Sequence, residues 1–213
     1  MTYWATWHQD YQDPESDISH RLRHVQRRLS HGLDTAPAGP IRLISLCAGE
    51  GRDVIGVLPT HPRRDDVTAR LVELDPVIAQ SARTAAAAAG LHQVDVVTGD
   101  AALLSAYADL APADIVLAVG IFGNIDDDAI RRTIDGLTQL SKPGATVLWT
   151  RARRAPDLTP SIRSWFGEAG FGEVAFDYEE GSDFSVGTQR FEGQTAPLEP
   201  ETRLFEFRKR IDA

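Results

Sequence analysis

Between residues 41 and 150 the chain alternates short apolar runs with amphipathic or small-residue stretches. The runs at 41–46, 67–73, 94–98, 113–119 and 144–150 are rich in β-branched residues, which predicts buried strands. Between them, 52–58, 76–89 and 101–110 read as helices, the second of them rich in alanine and closed by Gly90. Asp126-Asp127-Asp128 opens another helix with Ile130, Ile134 and Leu137 on one face, and 159–169 is a last helix closed by Gly170. Upstream, Asp13-Pro14-Glu15-Ser16 is a helix start, and Ile18, Leu22, Val25, Leu29 and Leu33 recur at three- and four-residue spacing as one apolar stripe. Beyond Gly170 the rhythm changes: 173–178, 184–191 and 203–207 read as strands without intervening helices. Alternating elements predict a parallel sheet with helical crossovers, and consecutive strands an antiparallel edge.

The chemistry gathers where strands end. Strand one breaks into Cys47-Ala48-Gly49-Glu50-Gly51-Arg52-Asp53, a glycine-bearing turn that lets a nucleotide-like ligand approach the backbone. Strand two ends in Glu73, 22 residues after Gly51, an acid able to accept both hydroxyl hydrogens of a ribose. Strand three runs into Gly99-Asp100-Ala101, a second acid on the same sheet edge. A dinucleotide fingerprint needs a third glycine where this chain has Val54, which counts against a nicotinamide or flavin cofactor.

These three elements, in this order on successive strands, resemble the class I S-adenosylmethionine (SAM) methyltransferases, and among them small bacterial members. The resemblance runs from about Ile41 to the C-terminus. It implies one Rossmann-like α/β domain with a mostly parallel seven-stranded sheet and an antiparallel C-terminal hairpin. Residues 1–40 would add an aromatic arm and a helix as a lid on a 41–213 core. The implied activity is methyl transfer from SAM to oxygen or nitrogen of a small molecule, leaving S-adenosylhomocysteine (SAH). The implied cofactor residues are Cys47, Ala48, Gly49, Gly51, Glu73, Leu74, Asp100, Ala101, Gly120, Ile121 and Phe122. Glu73 would hold the ribose and Asp100 the adenine amino group; Asp75, two residues later on the same edge, is the alternative ribose acid.

Two positions depart from the family pattern. The acid expected two residues before the loop is Ser45, and the loop's first glycine is Cys47. Ser45 cannot neutralise the SAM ammonium; Glu50 either supplies that charge or is a solvated loop acid. Cys47 reads as a small buried residue rather than a nucleophile, because no base lies near it in sequence. The altered loop leaves a non-catalytic SAM- or SAH-binding protein as the alternative, with a nicotinamide-dependent oxidoreductase behind it.

On the acceptor side, Asn124 either orients a nucleophile or caps the following helix. Arg151 and Arg154 either hold an anionic substrate group or are solvated, and Asp157 is either a general base or a cap. Trp4, Trp7, His8 and Tyr11 crowd aromatic and imidazole groups into the first residues, more than a free tail needs. His8 and Tyr11 are candidates for the catalytic side of such a cover and Trp7 for substrate contact, the alternative being a flap packed on the core. Arg21, close to the apolar stripe, can reach the SAM carboxylate, whereas His20, His24 and His31 lie on the polar side of that helix and read as solvated. The three aspartates at 126–128 complement a helix N-terminus, so no metal is expected.

Composition narrows the partners. At 213 residues with 42% hydrophobic and 25% charged content, one soluble domain is expected, as monomer or homodimer. A net charge of −9 disfavours nucleic acid as substrate. No apolar run is long enough to span a bilayer, and the first residues do not form a secretory signal. A lone cysteine excludes an internal disulfide and fits a cytoplasmic location.

Overall fold

The computed structural model describes Asp13 and residues 15–208. Helix α1 (Asp17–Thr35) is capped by Ser16, whose hydroxyl accepts the Ser19 N–H, and the predicted stripe is its buried face. Strand β1 (Ile41–Leu46) follows, then a single turn of helix, α2 (Arg52–Ile55). Next come β2 (Val67–Glu73), α3 (Pro76–Ala88), β3 (Val94–Thr98), β4 (Ala113–Ala118), α4 (Asp127–Leu140), β5 (Ser141–Ala152), α5 (Thr159–Glu168), β6 (Phe171–Tyr178) and β7 (Phe184–Phe191).

The seven strands form one sheet in the order β3-β2-β1-β4-β5-β7-β6. Strands β1 to β5 pair in parallel, and β7 runs antiparallel to both β5 and β6. Strand order reverses between β1 and β4, so the two crossovers leave on opposite sides and open a crevice at the carboxyl ends of the strands. One face of the sheet buries Val25, Leu29 and Leu33 of α1 with Ala79, Ala82 and Ala86 of α3. The other buries Ile130, Ile134 and Leu137 of α4 with Ile162 and Phe166 of α5. No helix among the described residues is long and apolar enough to cross a membrane.

Two predicted elements, 101–110 and 203–207, differ from the structure for a shared reason. Residues 101–110 contain only a short 3-10 turn, Leu104–Tyr107, and 203–207 is not a strand of the sheet. The two segments pair with each other instead. Leu104 N–H donates to Thr202 O (3.1 Å), Ser105 N–H to Pro200 O (2.9 Å) and Leu204 N–H to Ala102 O (2.8 Å). These bonds occupy backbone groups that a helix would use internally, and they leave only one bridge, Leu103 with Arg203. Residues 200–208 thus form a strap across the top of the sheet, anchored by fully buried Leu204 against Gly136 of α4. Helix α2 is likewise shorter than predicted: Arg52–Ile55 gives way to a 3-10 turn at Leu58–Thr60.

The polar side of α1 is less solvated than its pattern implies. His20 Nδ1 and His24 Nε2 meet the Glu179 carboxylate at 3.0 and 2.7 Å, and Arg28 makes a paired contact with Asp177. These contacts tie α1 to the end of β6.

The aromatic core beside β5 depends on one close approach. Trp149, fully buried, stacks on Phe166 with centroids 5.7 Å apart and lies opposite Gly187 of β7. A Cβ at Gly187 would overlap the Trp149 indole ring. Gly187→Ala should therefore destabilise the protein by about 1–3 kcal/mol, the usual penalty for overpacking a rigid core. Urea unfolding of the two proteins measures it, and equal midpoints would contradict this account of the packing.

Candidate functional site

The crevice at the strand ends is a cavity of about 520 Å³, within the range of small-molecule sites. Its floor is the loop after β1. Cys47 (φ 48°), Gly49 (φ 58°) and Gly51 (φ 68°) all adopt left-handed backbone conformations, so the chain doubles back tightly before α2. A side chain at Gly51 would in addition meet Ile55 and Leu71, each at 2.8 Å. The loop is pinned to the neighbouring strand: Ala48 N–H donates to Val72 O (3.0 Å) and Gly49 N–H to Glu73 Oε2 (2.9 Å).

Glu73 also accepts the Asp75 N–H on Oε1 (2.9 Å). A carboxylate offers about four lone-pair sites, so two amides fix its orientation and leave acceptor capacity toward the cavity. Both candidate acids line the cavity: Asp75 caps α3 through Oδ1, which accepts Val77 and Ile78 N–H, whereas Glu73 ties the glycine loop to the end of β2. At the next strand end, Asp100 accepts Ala102 N–H on Oδ1 (3.0 Å) and pairs through Oδ2 with Arg203 of the strap (2.6 Å).

Cys47, Ala48, Gly49, Glu73, Leu74, Asp100, Ala101 and Gly120 all line this cavity. Leu74 is exposed and offers a flat apolar surface beside Glu73. Burial, with the Glu73 and Asp100 carboxylates close by, holds the Cys47 thiol far above its ordinary pKa, so it is a neutral small group. Gly51 is buried as the N-cap of α2 and shapes the turn rather than the wall. Ile121 and Phe122 are fully buried in the core, where Phe122 lies 5.9 Å from Trp149, and neither is among the lining residues.

The acceptor-side candidates are not brought to the cavity wall. Asn124 closes its own loop, its Nδ2 donating to Gly120 O (2.8 Å) while its carbonyl accepts Arg208 N–H (2.8 Å); the helix cap is Asp126. Asp157 accepts both the N–H and the hydroxyl of Thr159 at the start of α5, the capping alternative. Arg151 donates to the Phe122 carbonyl, and Arg154 is exposed and paired with Asp183 (2.6 Å). Glu50 pairs with Arg52 (2.6 Å). Trp4, Trp7, His8 and Tyr11 lie outside the described residues. Among the described residues, no group of three or more His, Cys, Asp or Glu is placed to hold a metal ion.

Arg21 of α1, a sequence candidate, also lines the cavity. Other walls come from residues that sequence reasoning did not place there: Leu22 and Val25 of α1, and Arg203, Phe205, Glu206 and Phe207 of the strap. Phe205 and Phe207 lie with ring centroids 5.4 Å apart. The signal for the strap was present as the Arg-Leu-Phe-Glu-Phe alternation, which reads equally well as a strand. Asp53 is the other addition. It lines the cavity although only 7% exposed, and its carboxylate is bonded by the N–H of Val54 (2.8 Å) and its own N–H. Burial pushes its pKa up from 3.8 to about 6, against the smaller opposing effects of those N–H groups and Arg21.

That shift has a sign. Below the unfolded value the carboxyl is protonated in both states. Between 3.8 and about 6 the folded protein keeps a proton that the unfolded chain releases, so stability falls as pH rises, and above about 6 the loss is complete. Asp53→Asn should therefore stabilise the ligand-free protein at pH 7 by roughly 2–3 kcal/mol, with the gain disappearing toward pH 4. Chemical unfolding at the two pH values checks this; a variant less stable at pH 7 would contradict it.

Residues 16–164, more than half of the chain, match the family described as "Putative methyltransferase". No curated protein matches the sequence. Among solved structures, an O-methyltransferase family protein from Burkholderia thailandensis is similar at TM-score 0.63 and 19% identity, over 82% of this chain and 57% of that one. An RNA methyltransferase from Salinibacter ruber, solved with SAH, is similar at TM-score 0.54 and 20% identity, over 82% of this chain and 95% of that one. A precorrin-6y C5,15-methyltransferase from Geobacter metallireducens gives TM-score 0.58 at 13% identity, over 79% of this chain and 87% of that one. The chain thus spans little more than half the length of the Burkholderia protein, and identities this low speak for the fold alone. The family match, over most of the chain, settles the affiliation: the chain belongs to this methyltransferase family, and its strand order is that of the class I SAM-methyltransferase fold.

Proposed function

We propose that the protein transfers the methyl group of SAM to oxygen or nitrogen of a small-molecule acceptor by in-line displacement. The observation that carries this reading is the Glu73 carboxylate, fixed by the Gly49 and Asp75 amides at the lip of a cavity that also holds Asp100. When bound, SAM supplies a methyl group made electrophilic by its sulfonium. Glu73 would accept the ribose hydroxyls, Leu74 would pack against the adenine, and Asp100 would accept the adenine amino hydrogens. Cys47, Ala48 and Gly49 would bring bare backbone against the methionine portion. Gly120, just past β4, with no atom within 4 Å of where a Cβ would stand, would leave room for the ligand, and Phe205 and Phe207 of the same lining would help to keep water out. Most of the rate gain would then come from holding the nucleophile about 3 Å from the methyl carbon in a dry site.

The net charge of −9 and an acid-rich cavity lining favour a neutral or cationic small molecule over nucleic acid. The arm at residues 1–11 is attached just ahead of α1, whose Arg21 and Leu22 face the cavity, which supports its reading as a cover. In that reading Trp7, His8 and Tyr11 serve the acceptor.

Two outcomes check this. Glu73→Ala should weaken SAM about tenfold or more, since one charge-assisted hydrogen bond is worth roughly 1.5–3 kcal/mol. Calorimetry showing unchanged affinity in the folded variant would refute the assignment. Deleting residues 1–11 should leave SAM affinity near the wild-type value while abolishing transfer to an acceptor found by screening. A truncated protein that still turns over at the full rate would remove the arm from the site. Binding without turnover of any acceptor by the intact protein would favour the non-catalytic alternative.

A further inference from the structure

The methionine end of SAM is a zwitterion, and its ammonium needs an acceptor in a site that excludes water. The residue at the expected position, Ser45, is 1% exposed, does not line the cavity, and has a buried hydroxyl without a hydrogen-bond partner among the described residues. The other cavity acids near the loop are engaged. Glu50 turns to the Arg52 guanidinium, Glu73 is held by two amides, Asp75 caps α3, and Asp100 pairs with Arg203.

We propose that Asp53 replaces the missing strand acid and receives the α-ammonium of the cofactor, an inference that rests on the SAM reading above. The left-handed turn at Gly51 ends the loop and starts α2, so the second residue of that helix is carried inward beside the glycine loop. Among the described residues, only backbone N–H groups hydrogen-bond its carboxylate. A carboxylate more than nine-tenths buried, facing a cavity and lacking a bonded cation, is destabilising unless a ligand brings the cation. An ammonium at this point would restore what burial removes, so the raised pKa of free Asp53 is the counterpart of a site awaiting positive charge. Arg21 lies on the same wall and acts on Asp53 electrostatically. The pocket therefore presents both signs of charge to a ligand that carries both.

The test uses SAH and its deaminated analogue, which differ only in the amino group, titrated by calorimetry at pH 7.5 into wild type and Asp53→Asn. The wild type should prefer SAH by about ten- to a hundredfold, the range of a charge-assisted hydrogen bond. Asp53→Asn should lose that preference and bind both ligands as the wild type binds the analogue. A variant that keeps the preference, or one that weakens both ligands equally, overturns the inference. So does a wild type that binds both ligands alike. A wild type that binds neither overturns the cofactor reading itself, which separates the two failures.

Discussion

Two backbone N–H groups, from the loop after β1 and from the start of α3, converge on the Glu73 carboxylate. The geometry is possible because β1 and β2 are adjacent and parallel, with Leu46 level with Val72, so their carboxyl ends reach the same height. The main chain of Glu73 extends the same function: its carbonyl accepts Gly99 N–H (2.9 Å), fixing the entry to the Asp100 turn. One residue thereby sets the relative positions of the glycine loop, the helix cap and the second acid. Its bond from Gly49 N–H also holds a loop that bends through left-handed conformations, one of them at the non-glycine Cys47. A neutral residue at 73 would leave two amides seeking partners next to an unsupported turn.

The electrostatics of the cavity divide along the same lines. Acids that organise backbone, such as Glu73 and Asp75, have their partners built in. Asp53 has the N–H of Val54 and its own N–H, but these offset only part of its burial, and the folded protein bears its ionisation at a cost in stability. A cost of this kind, at the wall of a cavity rather than in the core, is one that a ligand-borne cation would offset.

Much of this was legible in the sequence. Strands β1 to β5 were readable because each contains a run of largely buried, mostly β-branched residues, bounded by glycine, proline or acidic turns. Glu73 and Asp100 were readable because a strand end is a position that topology places at the crevice. What escaped were interactions between distant segments. Residues 101–110 look helical and 203–207 look like a strand when each is read alone. Together they exchange the hydrogen bonds that each pattern had assigned elsewhere. His20 and His24 have the spacing of a solvated face, and only the β6 terminus, more than 150 residues away, supplies Glu179. Asp53 follows the glycine loop like any first-turn helix acid; its burial is decided by α1 folding over it. Arg151 and Arg154 were placed by chemistry alone, and local carbonyl and carboxylate partners claimed them first.

The strap divides authorship of the cavity. Its cradle is written between residues 16 and 164, the stretch shared with the family, whereas the Phe205–Phe207 wall comes from a separate stretch of chain held down by Leu204. The wall and the cradle are therefore built by different stretches of chain, and a change at the exposed end of the strap leaves the loop, Glu73 and its amides untouched. Arg203 is where the two are joined. Through its bond to Asp100, a change that displaces the strap is felt at the second acid as well, whereas the exposed Glu206 and Phe207 can change without disturbing the buried Leu204 and Phe205 that hold the strap down.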